Sequence, residues 1–188
     1  MRVTIFGGSQ PRPGDPAYHE AQRLGSILAG AGHTVLTGGY LGTMEAVSRG
    51  AAEAGGAVVG VTCDEIQSWR QVAPNPWIVE ERRFPTLRER LMALVEDCDA
   101  ALALPGGPGT LAEISMMWTH LLTGAIRPRP LILIGPGWKS TFEAFFTALG
   151  QYIPDEQRSW LEFVPDTESA VRSLSSLQPQ SGTLNERR

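Results

Sequence analysis

Ala100-Ala101-Leu102-Ala103-Leu104-Pro105-Gly106-Gly107-Pro108-Gly109-Thr110-Leu111-Ala112-Glu113-Ile114-Ser115-Met116-Met117-Trp118 reads as a buried strand that breaks at a proline and glycine elbow and resumes as a helix. Such a unit aims a row of backbone N–H groups and a helix N-terminus at one point, which suits an anion. Three glycines and two prolines between Pro105 and Gly109 leave almost no side chain above the elbow. A ligand phosphate can therefore lie directly against the backbone. The spacing places Glu113 in the first helical turn, where the helix dipole favours the anion, so a carboxylate rather than an acid is expected there.

The same unit recurs on both sides. Val3 to Phe6 is an apolar, β-branched strand ending at Gly7-Gly8-Ser9-Gln10. Asp15-Pro16 offers an N-cap and a first-turn proline for a helix to about Ala29, stopped by Gly30 and Gly32. A strand at His33 to Thr37 runs into a second elbow, Gly38-Gly39-Tyr40-Leu41-Gly42, followed by a helix over Thr43 to Ala54 and a strand at Ala57 to Val61. From Thr62 to Phe84 the pattern loosens into a long excursion, with a short edge strand expected at Trp77 to Val79; loops of this length in a compact domain are usually functional. Pro85 opens a helix through Asp97 with Leu87, Leu91, Leu94 and Cys98 on one face. After the elbow at Pro105, Leu131 to Ile134 is a buried parallel strand. Ser140 with Glu143 forms a capping box for a helix to Leu149. Leu161 to Val164 is the last strand, Asp166 caps a last helix to about Leu177, and residues 178–188 are polar and expected to be disordered.

Strand and helix alternating with short connections specify an α/β fold: a three-layer α/β/α domain over residues 1–177, with a parallel sheet and right-handed crossovers. In such a sheet the elbows lie along one carboxyl edge, so those at Gly7, Gly38 and Gly106 converge. None is a full dinucleotide fingerprint, and Trp138 stands where a Walker loop needs glycine before Lys139. The chain has 188 residues, 42% hydrophobic, with a net charge of -4, enough for one buried core and contrary to nucleic acid as the main partner. No apolar run approaches a membrane span, so a soluble, cytoplasmic protein is expected. Cys63 and Cys98 are too few and too separate for a disulfide framework, and with His19, His33 and His120 dispersed as surface or helix residues no metal site is expected.

The motifs match a known family. Pro105-Gly106-Gly107-Pro108-Gly109-Thr110-Leu111-Ala112-Glu113 resembles the PGGxGTxxE signature of the lonely-guy family, cytokinin riboside monophosphate phosphoribohydrolases once described as lysine decarboxylases. Arg90, 23 residues before Glu113, resembles the family's arginine in the helix before the signature. Gly38-Gly39-Tyr40-Leu41-Gly42-Thr43-Met44 is similar to its GGxxGxM segment, and Phe6-Gly7-Gly8-Ser9 to its first elbow. The resemblance implies a Rossmann-like fold, a homodimer, no organic cofactor, and hydrolysis of the N-glycosidic bond of a nucleoside 5′-monophosphate. It makes Arg90 and Glu113 the catalytic pair, with Gly8, Ser9, Gly38, Gly39, Met44, Pro105, Gly106, Gly107, Gly109 and Thr110 around the nucleotide. The family pattern is not complete: Leu91 replaces a usual lysine, Pro108 removes one N–H, and Thr62-Cys63-Asp64-Glu65 stands in place of an Ile-Pro element.

Simpler roles compete for the same residues. Thr110 with Glu113 is also a capping box, and Arg82, Arg83, Arg88 and Arg90 alternate with Glu81 and Glu89 as an exposed helix face does. At 100° per residue Arg90 falls roughly 40° from Leu94, at the margin of the buried face, while Glu89 points to solvent. Met44, Met116 and Met117 suit the core, though a methionine can line an adenine pocket. Ser9 suits hydrogen bonding to ligand better than nucleophilic attack, and Trp69 and Trp77 suit either stacking on a base or packing. Two functions follow: a phosphoribohydrolase, or a carrier that holds a nucleotide or molybdopterin without cleaving it. Lysine decarboxylation is excluded, since Lys139 is the single lysine and sits at a helix start without the surroundings of a Schiff base.

Overall fold

The computed structural model describes residues 1–176, in which seven segments pair as parallel strands. The strands are β1 (Arg2–Phe6), β2 (Thr34–Thr37), β3 (Val58–Cys63), β4 (Glu80–Phe84), β5 (Ala100–Ala103), β6 (Leu131–Ile134) and β7 (Glu162–Val164). They form one sheet in the order β4-β3-β2-β1-β5-β6-β7, each neighbouring pair parallel. The order reverses between β1 and β5, so the elbows that follow these strands open side by side.

Helices α1 (Pro16–Gly30), α2 (Thr43–Glu53), α3 (Asp64–Arg70), α4 (Leu87–Glu96), α5 (Pro108–Thr123), α6 (Pro136–Leu149) and α7 (Asp155–Arg158) lie between the strands, with a 3-10 turn at Gly150–Tyr152, and α8 (Thr167–Ser176) follows β7. Two apolar cores result. Leu94, Ile114, Met117, Trp118 and Phe142 from α4, α5 and α6 cover one face of the sheet. Tyr18, Leu24, Leu28, Val47 and Leu174 from α1, α2 and α8 cover the other. Helices α1 and α2 meet closely because Gly25 and Gly50 have no side chains: a Cβ on Gly50 would stand 1.8 Å from the Gln22 carbonyl oxygen.

Several expected boundaries move, each for a local reason. The excursion after Thr62 contains α3, and its strand is not Trp77 to Val79 but Glu80–Phe84. This edge strand carries charges rather than alternating apolar residues: Thr62 Oγ1 donates to Glu81 at 2.5 Å, and Arg82 links Glu80 to Asp97. Arg82 and Arg83 thus lie on a strand, not on an exposed helix face. Helix α4 starts two residues later than Pro85, because Thr86 and Glu89 form the capping box. Its buried face is Arg90, Ala93, Leu94 and Val95, while Leu87 is exposed and Leu91 half-buried. Ser140 does not cap α6, which begins at Pro136 after Gly135, a residue at φ 97° where glycine is favoured. Asp166 does cap α8, accepting from the Ser169 amide at 2.7 Å. His33 is buried rather than on the surface, its Nδ1 3.4 Å from the Met1 ammonium. Leu177 and the expected disorder of residues 178–188 lie outside the described residues. No described helix is long and apolar enough to cross a membrane.

Candidate active site

Three elbows interlock where the strand order reverses. The Gly8 amide donates to the Pro105 carbonyl at 3.2 Å, and the Gly8 carbonyl accepts from both the amide and the hydroxyl of Thr43, at 2.9 and 3.1 Å. The first elbow is thereby tied to the third and to the start of α2. The approach is close enough to exclude side chains: a Cβ on Gly8 would meet the Gly106 Cα at 3.3 Å, and one on Gly106 would meet Thr110 Oγ1 at 2.1 Å. Gly39, at φ 78°, accepts at its carbonyl from the Asn75 amide and donates its own amide to Thr37 Oγ1. Beneath the third elbow, the Trp138 indole donates to the Leu104 carbonyl at 3.0 Å and pins the strand end.

Helix α5 starts directly on this elbow. Gly107 is its N-cap, Pro108 its first residue, and the Leu111 amide makes the first intrahelical bond, to Gly107 at 3.0 Å. The first-turn amides of Gly109 and Thr110 have no intrahelical acceptor, and Pro108 contributes no N–H at all. Gly107 and Gly109 are exposed with nothing crowding their Cα atoms, so the backbone is open to a ligand.

Glu113 is not in the first turn as expected but in the second, six positions beyond Gly107. It does not act as a capping box with Thr110, which is itself the third helical residue. The displacement changes its chemistry. Glu113 is 9% exposed and burial pushes its carboxyl up to about 7, with Arg90 opposing the rise. A side chain expected to be held as an anion by the helix dipole therefore stands where acid and base forms are comparable at neutral pH.

Arg90 is only 5% exposed, deeper than the margin of the helix face. Its Nε donates to the Val61 carbonyl at 2.8 Å and one Nη to the Gly38 carbonyl at 3.2 Å; its guanidinium carbon lies 5.6 Å from the Tyr40 ring centre. The other Nη stands 3.7 Å from Glu113 Oε1. That separation is an ion pair longer than a hydrogen bond, so both groups keep capacity for a ligand. Gly38 is required by this arrangement, because a Cβ there would fall 2.0 Å from Arg90 Nη and 2.6 Å from Met44 Sδ. Arg90 thus joins the second elbow, with half-buried Met44 beside it, to α5.

Some participants carried no sequence signal. Tyr40 is buried, its hydroxyl accepting from the Cys63 amide and donating to the Cys63 carbonyl, with burial pushing its phenol up. Asn75 donates its side-chain amide to the Tyr40 carbonyl at 3.1 Å. Ser9 lies between two arginines: Arg70 donates to its hydroxyl at 3.1 Å and Arg12 to its carbonyl at 2.9 Å. Trp69 is 73% exposed under the Arg70 guanidinium, and Trp77 lies beneath Arg49. Cys63 and Cys98 are both buried and free. Among the described residues no three His, Cys, Asp or Glu side chains converge as a metal site.

Comparison with known proteins agrees with the architecture. A family model described as "Possible lysine decarboxylase" matches residues 44–174. The cytokinin riboside 5′-monophosphate phosphoribohydrolase of Mycobacterium tuberculosis is 31% identical over 151 residues, covering 78% of this chain and 70% of the relative. The enzyme of the same name from Rhodococcoides fascians is 29% identical over 180 residues, 93% of this chain and 89% of that one. The structure of a molybdenum cofactor binding protein from Rippkaea orientalis superimposes with a TM-score of 0.74 at 22% identity, covering 95% and 97% of the two chains, which shows the shared fold. With the family model spanning well over half of its length and the signature, arginine helix and glycine elbows in their expected order, the chain belongs to the lonely-guy family.

Proposed function

We propose that the protein hydrolyses the N-glycosidic bond of adenosine 5′-monophosphate, or of a relative modified on its exocyclic amine, to give free base and ribose 5-phosphate. The buried Arg90–Glu113 pair beside three converging elbows, the third of them exposed, carries this reading. Breaking the bond leaves positive charge on the ribose ring, and a carboxylate next to that carbon stabilises it. In its anionic form Glu113 also accepts a proton as water attacks the anomeric carbon. The bonding pair of the broken C–N bond moves to the base, and the proton gained by Glu113 returns to a base nitrogen directly or through water. A carboxyl group titrating at about 7 suits both halves of this transfer. Arg90 fixes the position of Glu113 and binds ribose oxygens with its remaining donors.

The amides of Gly107, Gly109 and Thr110 receive the phosphate, Gly8, Ser9, Pro105 and Gly106 shape its entry, and Gly38, Gly39 and Met44 form the side toward the base. The acting unit is a homodimer in the cytoplasm with small nucleotides, not nucleic acid, as partners, and it needs no organic cofactor. The test is incubation of purified protein with adenosine monophosphate and its isopentenylated analogue, following free base and ribose 5-phosphate. Release of both products that disappears in Glu113→Gln and Arg90→Ala supports the assignment. Tight binding without cleavage by the parent overturns it in favour of a nucleotide carrier.

A further inference from the structure

Resting on that functional reading, we propose that Arg70, reaching from α3 to the first elbow, binds the 5′-phosphate of the substrate together with Ser9. The phosphate end of the site needs positive charge that the third elbow does not supply. A nucleotide phosphate carries between one and two negative charges at neutral pH. Arg90 holds two carbonyls and faces Glu113, and the donors it has left are assigned to the ribose. The third elbow offers neutral amides, one fewer than usual because Pro108 has none.

Arg70 has the missing charge in a prepared position. Its one hydrogen bond among the described residues runs to Ser9 Oγ at 3.1 Å, and no described carboxylate lies within ion-pair distance. A guanidinium has five N–H donors, so most remain for an oxyanion. Trp69 stacks on it at 4.7 Å, which limits the rotamers it must give up on binding. Ser9 follows Gly8, whose amide is tied to Pro105 and whose Cα lies against Gly106, so Arg70 bonds the residue next to the junction of the first and third elbows. Arg12 has a different part: one of its guanidinium nitrogens donates to the carbonyls of Ser9 and Pro11 and braces the elbow from within the loop. Helix α3 ends at Arg70, and the next residue, Gln71, takes a left-handed conformation at φ 50°.

The experiment is calorimetric titration of the parent, Arg70→Ala and Arg70→Lys with ribose 5-phosphate, adenosine monophosphate and adenosine, with Arg172→Ala on α8 as a control for lost charge. Arg70→Ala is expected to weaken both phosphorylated ligands roughly 10- to 100-fold, leave adenosine unchanged, and raise KM rather than lower kcat. Arg70→Lys is expected to recover part of the loss, and Arg172→Ala to lose nothing. Unchanged affinity for ribose 5-phosphate in Arg70→Ala overturns the proposal, as does an equal loss for adenosine, which would place the guanidinium on the base. Because titration needs no turnover, a parent that binds but never cleaves these nucleotides defeats the hydrolase reading alone. A parent that binds neither phosphorylated ligand overturns both.

Discussion

Glu113 combines a buried carboxyl with one imperfect ion pair, and its pH behaviour follows from that. Below its ordinary range the group is protonated in both folded and unfolded chains. As pH rises, the unfolded chain ionises first while the folded one retains its proton, so stability is lost between about 4.5 and about 7 and is constant above that. The loss attributable to this group is roughly 3 kcal/mol. Urea unfolding of parent and Glu113→Gln across this window is expected to show the difference between them growing toward neutral pH in favour of the variant. The same variant is expected to lose roughly 10²- to 10⁴-fold in nucleotide hydrolysis. In the parent, kcat/KM is expected to fall as pH drops below about 7, because the attacking step needs the carboxylate. Gly38→Ala tests the other member of the pair. Its methyl group would occupy the space of Arg90 Nη, so activity is expected to fall at least tenfold while the fold persists, measured as initial rates alongside thermal unfolding.

At the level of elements, the architecture depends on contacts that leave no room for a side chain. The α1–α2 interface brings Gly50 against the Gln22 backbone and Gly25 against the Val47 carbonyl. Backbone cannot yield as a flexible side chain can, so Gly50→Ala forces the helices apart. A loss of roughly 3 kcal/mol in denaturant unfolding is expected, although alanine is the better helix former. Helix starts explain where sequence patterns mislead. Asp15-Pro16 does begin α1, but Asp15 turns its carboxylate to the Arg12 amide and caps nothing. Ser140 and Glu143 have capping-box spacing inside a helix that glycine and proline had already started. A capping pattern shows that a start is compatible, whereas the preceding strand end shows where it occurs.

Across the whole molecule, the strand order puts the elbows of β1 and β5 side by side and that of β2 next to them. If the unit is a homodimer, sedimentation is expected to give twice the mass of the 20.3 kDa chain, and a monomer at working concentration would contradict that. The α/β class, six of the seven strands and the three glycine elbows were legible from residue order alone, because apolar runs, glycines and prolines act through local conformation. The edge strand Glu80–Phe84 was not: its five residues are mostly charged, and it is a strand because β3 offers an open ladder. The pairing of Arg90 with Glu113 was expected from a motif, but its burial, its 3.7 Å separation and the rise of the carboxyl to about 7 depend on how α4 and α5 pack over the sheet. Likewise Arg70 reaches Ser9 across 61 positions of sequence, a distance that only the fold closes. Local stereochemistry written in the residues determined which segments become strands, elbows and helices; solvent exclusion and long-range packing, which no single segment encodes, decided which charges are buried and what they can do.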